Sequence, residues 1–141
     1  MRRLASWWNG MTPGLLSVLR IVVAYLYLLH GAKKLFGLPG SPHFHLIEAG
    51  QLLTLAPGLA GVLEFFGGLL VLIGLRTRPV AFLLSGQMAF AYFMVHAPTS
   101  FWPVLNGGDS AILFCFAFLY LSAAGGGPVS ADALFAGRRR R

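Results

Sequence analysis

Four runs of apolar residues divide the chain, from about Gly14 to Phe36, Pro57 to Leu75, Pro79 to His96 and Asp109 to Ala124. Each is close to the roughly 17–25 residues that a helix needs to cross bilayer hydrocarbon. Pro57 and Pro79 suit the first turn of a helix, where a missing N–H costs nothing. Asp109 follows the flexible Asn106-Gly107-Gly108 and suits an N-cap. The first run carries Arg20, is too long for a secretory h-region and lacks a clear small-residue cleavage site, so it reads as a retained span. The pattern predicts an all-α fold: a transmembrane four-helix bundle. The link between the second and third runs, Arg76-Thr77-Arg78, is tight enough to make them an antiparallel hairpin. The first link, about Gly37 to Ala56, is the longest, and its His43–Leu55 piece suits a short interfacial helix. No internal repeat is visible.

Composition supports lipid as the solvent. Of 141 residues 57% are hydrophobic and 11% charged, with a mean hydropathy of +0.73. Water-soluble domains carry about a quarter charged residues. The net charge of +7 is not spread over one face, so no nucleic-acid partner is expected; the expected partner is the bilayer. With the N-terminus inside, the cytoplasmic side holds Arg2, Arg3, Arg76, Arg78 and Arg138 to Arg141, and the outer side holds Lys33 and Lys34. The positive-inside rule then sets both termini in the cytoplasm and the protein in the cell (inner) membrane as a multi-pass chain. Trp7 and Trp8 fit the inner interface and Trp102 the outer one. Residues 1–13 form an interfacial segment, 14–125 the membrane domain, and 126–141 a basic tail near anionic lipid. Cys115 is the single cysteine, a small buried apolar residue in this reading, and it excludes a CxxC redox motif.

Ionisable residues inside spans are costly and face the bundle interior. His30 lies seven residues from the outer end of the first span, and Glu64 seven from the outer start of the second. Both are therefore roughly 10 Å deep. Lys34 sits one turn from His30 on the same face. His96 ends the third span and Asp109 begins the fourth. His30, Lys34, Glu64, His96 and Asp109 thus define a candidate outer polar cluster. Ala60, Gly61, Gly67 and Gly68 around Glu64 are all small, which lets its helix approach a neighbour closely. A buried carboxylate there needs a partner, and Lys34 or His30 is available. A purely structural ion pair is the competing reading. Arg20 and Gln87 have similar depths counted from their cytoplasmic ends and form a candidate inner polar pair; snorkelling of Arg20 to headgroups is the alternative. No metal site is expected, although His43, His45 and Glu48 are metal-capable. Nothing in the spacing of His30 and His96 demands a haem.

Several of these residues fall in a pattern. Arg20 followed by His30-Gly31-Ala32-Lys33-Lys34-Leu35-Phe36-Gly37 resembles the first-helix signature of DoxX family membrane proteins, with Lys33 where Gln is common. Glu64-Phe65-Phe66-Gly67-Gly68 and Gly74-Leu75-Arg76-Thr77-Arg78 resemble the family's Glu-x-x-Gly-Gly helix and following turn. His96, Phe101-Trp102 and Asn106-Gly107-Gly108-Asp109 resemble its third loop, with Asp109 where Glu is frequent. The match covers about Leu15 to Ser130 and rests on the combination. It implies a four-helix inner-membrane protein, and it offers quinone as a cofactor and redox-complex subunits as partners. The family takes its name from a small subunit of an archaeal thiosulfate–quinone oxidoreductase. Arg20, Lys34, Glu64, His96 and Asp109 are family-pattern positions, and no catalytic residue is assigned.

Three functions fit the sequence: an accessory or quinone-linked subunit of a membrane oxidoreductase, a small-molecule or lipid binder or carrier, and a structural scaffold for partner membrane proteins. A lipid-side opening beside Glu64 favours the first, a water-filled vestibule the second, and a closed, fully paired cluster the third.

Overall fold

A computed structural model describes residues 2–40 and 58–138. Pro57, the His43–Leu55 segment with His43, His45 and Glu48, and residues 139–141 of the tail lie outside the described residues. Six helices account for nearly all of the rest, and no strand occurs among the described residues. They are α1 (Arg2–Phe36), α2 (Ala60–Ile73), α3 (Thr77–His96), α4 (Pro103–Asn106), α5 (Asp109–Ala124) and α6 (Ala131–Arg138). α1 and α3 are long and apolar enough to cross a membrane; α2 and α5 are apolar but shorter.

α1 is continuous through Pro13, so the boundary expected near residue 14 is absent. Proline tolerates helical φ and removes only one N–H, and a long helix can absorb that loss. α1 ends at Gly37, in the left-handed region with φ 69°, where its N–H bonds the Lys33 carbonyl. α2 and α3 form the expected hairpin, but its turn is Gly74-Leu75-Arg76 rather than Arg76-Thr77-Arg78. Gly74 (φ 73°) and Arg76 (φ 49°) both take left-handed backbone there. Gly108, not Asp109, holds the N-cap position of α5.

α1 packs along α2, and α3 along α5. Ala24, Tyr27, Val71, Leu84, Phe118 and Leu121 form the apolar centre. Tyr27 stacks edge-on against Phe118, with centroids 4.7 Å apart. Ser85 Oγ donates to the Cys115 carbonyl (2.9 Å) and ties α3 to α5. The interior also buries Arg20, Glu64, Ser17, Thr77 and Ser85, while large apolar side chains such as Phe82 (68% exposed), Phe93 (63%) and Leu113 (71%) point outward. An apolar coat over a core that also buries charged groups suits lipid better than water.

The small residues of α2 are shared between two neighbours. A Cβ at Gly61 would meet Lys34 and Leu35, one at Gly68 would meet Leu28, and one at Gly67 would meet Leu84 of α3. Across from them, Gly31 of α1 lies on the Glu64–Phe65 backbone so closely that no Cβ fits.

Residues 126–132, expected in the basic tail, instead fold back onto the protein. Arg20 holds them. Its Nε donates to the Gly126 carbonyl (2.9 Å), its Nη1 to the Val71 and Leu72 carbonyls (2.7 and 2.6 Å), and its Nη2 to the Val129 carbonyl. The Val71 and Leu72 carbonyls belong to the last turn of α2, which has too few N–H partners of its own. A guanidinium supplies five donors in a fixed fork and can serve several carbonyls together. Asp132 completes the junction by accepting from the N–H groups of Arg76 (2.7 Å) and Thr77 (2.8 Å) at the start of α3.

Candidate functional site

The end of α1, the start of α2, the end of α3 and the start of α5 enclose the group of residues centred on Glu64. That residue is 2% exposed. Lys34, in the last turn of α1, reaches across to it, with Nζ 2.5 Å from Oε1. The missing Cβ at Gly31, one turn before Lys34, brings the two helices close enough for that contact. Glu64 Oε2 is buried and has no hydrogen-bond partner among the described residues.

Two spaces meet at this carboxylate. One is a small cavity of about 100 Å³ bounded by Tyr27, His30, Glu64, Met88, His96, Ser110 and Phe114. The other is a groove of about 750 Å³ on the outer face of the α2–α3 pair. Leu59, Leu63, Phe82, Phe90 and Met94 line its walls, and Glu64 and Gln87 are its polar residues. Gly86 opens its floor, since nothing lies within 4 Å of the Cβ it lacks.

The structure brings together four of the five outer residues. Glu64 and Lys34 touch, and His30 and His96 line the small cavity with Glu64. Each histidine is turned by its own Nδ1. That of His30 bonds the Leu26 carbonyl (2.8 Å), and that of His96 bonds the Asn106 carbonyl (3.0 Å). The Asn106-Gly107-Gly108 turn seats His96, because a Cβ at Gly108 would strike the His96 and Tyr92 side chains. Asp109 stays outside the group. It is exposed, and its Oδ1 accepts from the Ser110 N–H of its own first turn (2.9 Å). At the start of α5 the free N–H groups are nearer to it than the cavity is.

The inner pair does not form. Arg20 is committed to four carbonyls, and Gln87 belongs to the Glu64 region instead. Tyr27 Oη donates to Gln87 Oε1 (3.0 Å), and Gln87 Nε2 donates to the Ala60 carbonyl (3.3 Å). Counting both residues from their cytoplasmic ends misplaced them, because α1 begins well before Gly14 and Arg20 lies level with the end of α2. Among the described residues no group of three or more His, Cys, Asp or Glu is arranged to hold a metal ion.

The seven-residue spacing of Arg20, Tyr27 and Lys34 predicts a polar stripe of α1 that faces inward, and Tyr27 is buried there with its hydroxyl linking α1 to Gln87. Residue-type reasoning missed a backbone feature: Leu63–Gly67 of α2 and Tyr92–His96 of α3 both follow π-helical hydrogen bonding. One segment contains Glu64 and the other ends at His96. Single π-turns inside α-helices widen the helix locally and are frequent at functional sites.

A family model described as DoxX matches residues 15–97. An uncharacterized protein of Haemophilus influenzae is 40% identical over 126 residues, which cover 87% of this chain and 92% of that protein. No solved structure matches the chain. The matched region holds Arg20, the Lys34–Glu64 pair, the α2–α3 hairpin and His96, and with the identity to the Haemophilus protein it establishes that the chain belongs to the DoxX family.

Proposed function

We propose that this DoxX-family chain is a four-span protein of the cell inner membrane, with both termini cytoplasmic, that binds an isoprenoid quinone as an accessory subunit of a membrane oxidoreductase. The groove between α2 and α3 carries the reading. It is apolar along its walls and ends on Glu64 and Gln87, so a prenyl tail lies along Phe82, Phe90 and Met94 while a polar ring reaches the carboxylate and the amide. Its size falls in the range of small-molecule sites, about 300–1,000 Å³. A scaffold has no use for an unsatisfied oxygen, whereas Glu64 Oε2 is left without a partner among the described residues. The topology rests on Arg76 and Arg78 at the α2–α3 turn and on the arginines near both ends of the chain. α2 and α5, shorter than the others, cross where flanking residues or local thinning of the bilayer make up the length.

Extraction into mild detergent followed by mass spectrometry of bound lipids tests the proposal. Wild type is expected to carry quinone or quinol above its share of the membrane pool. Gly86→Phe projects a ring into the groove and is expected to lower that amount at least several-fold with the fold retained. Wild-type protein free of quinone, or a Gly86→Phe variant that retains it in full, would overturn the reading.

A further inference from the structure

Resting on the quinone-type reading of the groove, we propose that the Glu64 site takes a headgroup through a hydroxyl donor, so that it selects the reduced, hydroxyl-bearing quinol over the dicarbonyl quinone.

The polar atoms around Glu64 have divided their roles unevenly. Lys34 Nζ donates to Oε1 across an ion pair, and a carboxylate in such a pair accepts hydrogen bonds and does not donate them. Oε2 stays buried with no donor among the described residues. Both histidines have spent their donor. A carbonyl oxygen only accepts, so the Nδ1 of His30 against the Leu26 carbonyl must carry the hydrogen, and so must the Nδ1 of His96 against the Asn106 carbonyl. In a neutral ring that assignment leaves Nε2 as an acceptor.

The remaining donors are likewise turned toward protein oxygens. The Tyr27 hydroxyl goes to Gln87 Oε1, and the Gln87 amide to the Ala60 carbonyl. Ser110, whose hydroxyl can take either role, is the remaining polar side chain lining the small cavity. Among the described residues Lys33, Tyr92 and Asp109 are the other titratable groups near this end of the bundle; Lys33 is exposed, and Asp109 is occupied with the Ser110 N–H. What these residues can still offer is mostly lone pairs: Glu64 Oε2, His30 Nε2 and His96 Nε2.

A quinone carbonyl brought to Glu64 Oε2 sets lone pair against lone pair. A hydroxyl brought to the same atom makes a charge-assisted hydrogen bond, the stronger kind. The groove and the small cavity meet at this carboxylate, so a ring entering from the lipid side presents its hydroxyl to Oε2 while its tail remains among the groove side chains. Water that occupies the small cavity meets the same acceptors, and the hydroxyl replaces one of its hydrogen bonds. The groups that favour a carbonyl are the Gln87 amide, already shared with Ala60, the Ser110 hydroxyl, and the remaining N–H groups of Lys34, which lines neither space.

Binding to the full chain in lipid nanodiscs at neutral pH tests the selection, with decylubiquinol kept reduced and decylubiquinone as the two probes. Decylubiquinol is expected to bind at least tenfold more tightly. The dimethyl ether of decylubiquinol, which keeps the ring shape but has no O–H, is expected to bind as weakly as the quinone. Glu64→Gln, whose amide both donates and accepts, is expected to bring the two affinities within about threefold by strengthening quinone binding. The ether comparison needs no variant and decides the matter even where Glu64→Gln fails to fold. Equal binding of the two probes, tighter quinone binding, or full affinity of the ether would each overturn the selection and leave the groove assignment standing. Failure of both probes to bind at saturation would instead remove the groove assignment and the selection together.

Discussion

Asp132 shows what one well-placed carboxylate contributes. Burial pushes its carboxyl up, but the N–H groups of Thr77 and Arg76 and the charge of Arg20 outweigh that and hold it below the usual aspartate range. A group whose folded value is depressed stabilises the fold fully above its unfolded value and loses that contribution as pH falls through the folded one. Asp132→Asn replaces one of the two accepting oxygens with a donor and is therefore expected to cost about 1 kcal/mol at neutral pH, the usual net worth of a hydrogen bond. The gap in melting temperature between wild type and variant should close as pH is taken well below about 3.9, the ordinary aspartate value. A gap independent of pH would mean that the charge of Asp132 is not what matters. Neither Asp132 nor the partners of Arg20 were legible in the sequence, and for the same reason. Backbone N–H and C=O groups are present at every residue, so a side chain that bonds to them leaves no matching residue type to find. The Lys34–Glu64 contact was legible because two charged side chains at equal depth in apolar surroundings have few other places to go.

At the scale of elements, the α1–α2 contact is set by absent side chains. Gly31→Ala forces a Cβ onto the Glu64–Phe65 backbone, which cannot yield as a flexible side chain would. It is expected to cost about 1–3 kcal/mol, as overpacking does, and to pull Lys34 away from Glu64. Gly86→Ala is the matched control, with open space at its Cβ. There the gain in helix propensity, up to about 1 kcal/mol, should appear as a small rise in stability. Thermal unfolding of the two variants in one detergent compares them, and equal effects would refute a tight α1–α2 contact. The small-residue face of α2 was readable from Ala60, Gly61, Gly67 and Gly68. Its division between α1 and α3 falls between Gly67 and Gly68, neighbours about 100° apart around a helix, so that one faces Leu84 and the other Leu28. The π-turn at Leu63–Gly67 was not legible, since an extra residue in a turn demands no particular side chain.

For the whole molecule, the order of the helices was the most legible part, because apolar length acts over the full chain. Reporter fusions at the C-terminus and in the loop between α1 and α2 are expected to fall on opposite sides of the membrane; a shared side would overturn the four-span topology. The return of residues 126–132 was not legible, since Gly125-Gly126-Gly127 reads as a flexible linker. Its glycines bring carbonyls to Arg20, and 106 residues separate Nε from the Gly126 oxygen it bonds. That separation has a temporal meaning. α1 enters the membrane early in synthesis with a bare guanidinium, and α2 can satisfy only part of it. The ring of acceptors closes when residues 126–129 have been made and have docked. A chain halted before then leaves guanidinium donors of its first helix without the Gly126 and Val129 acceptors that the finished chain supplies.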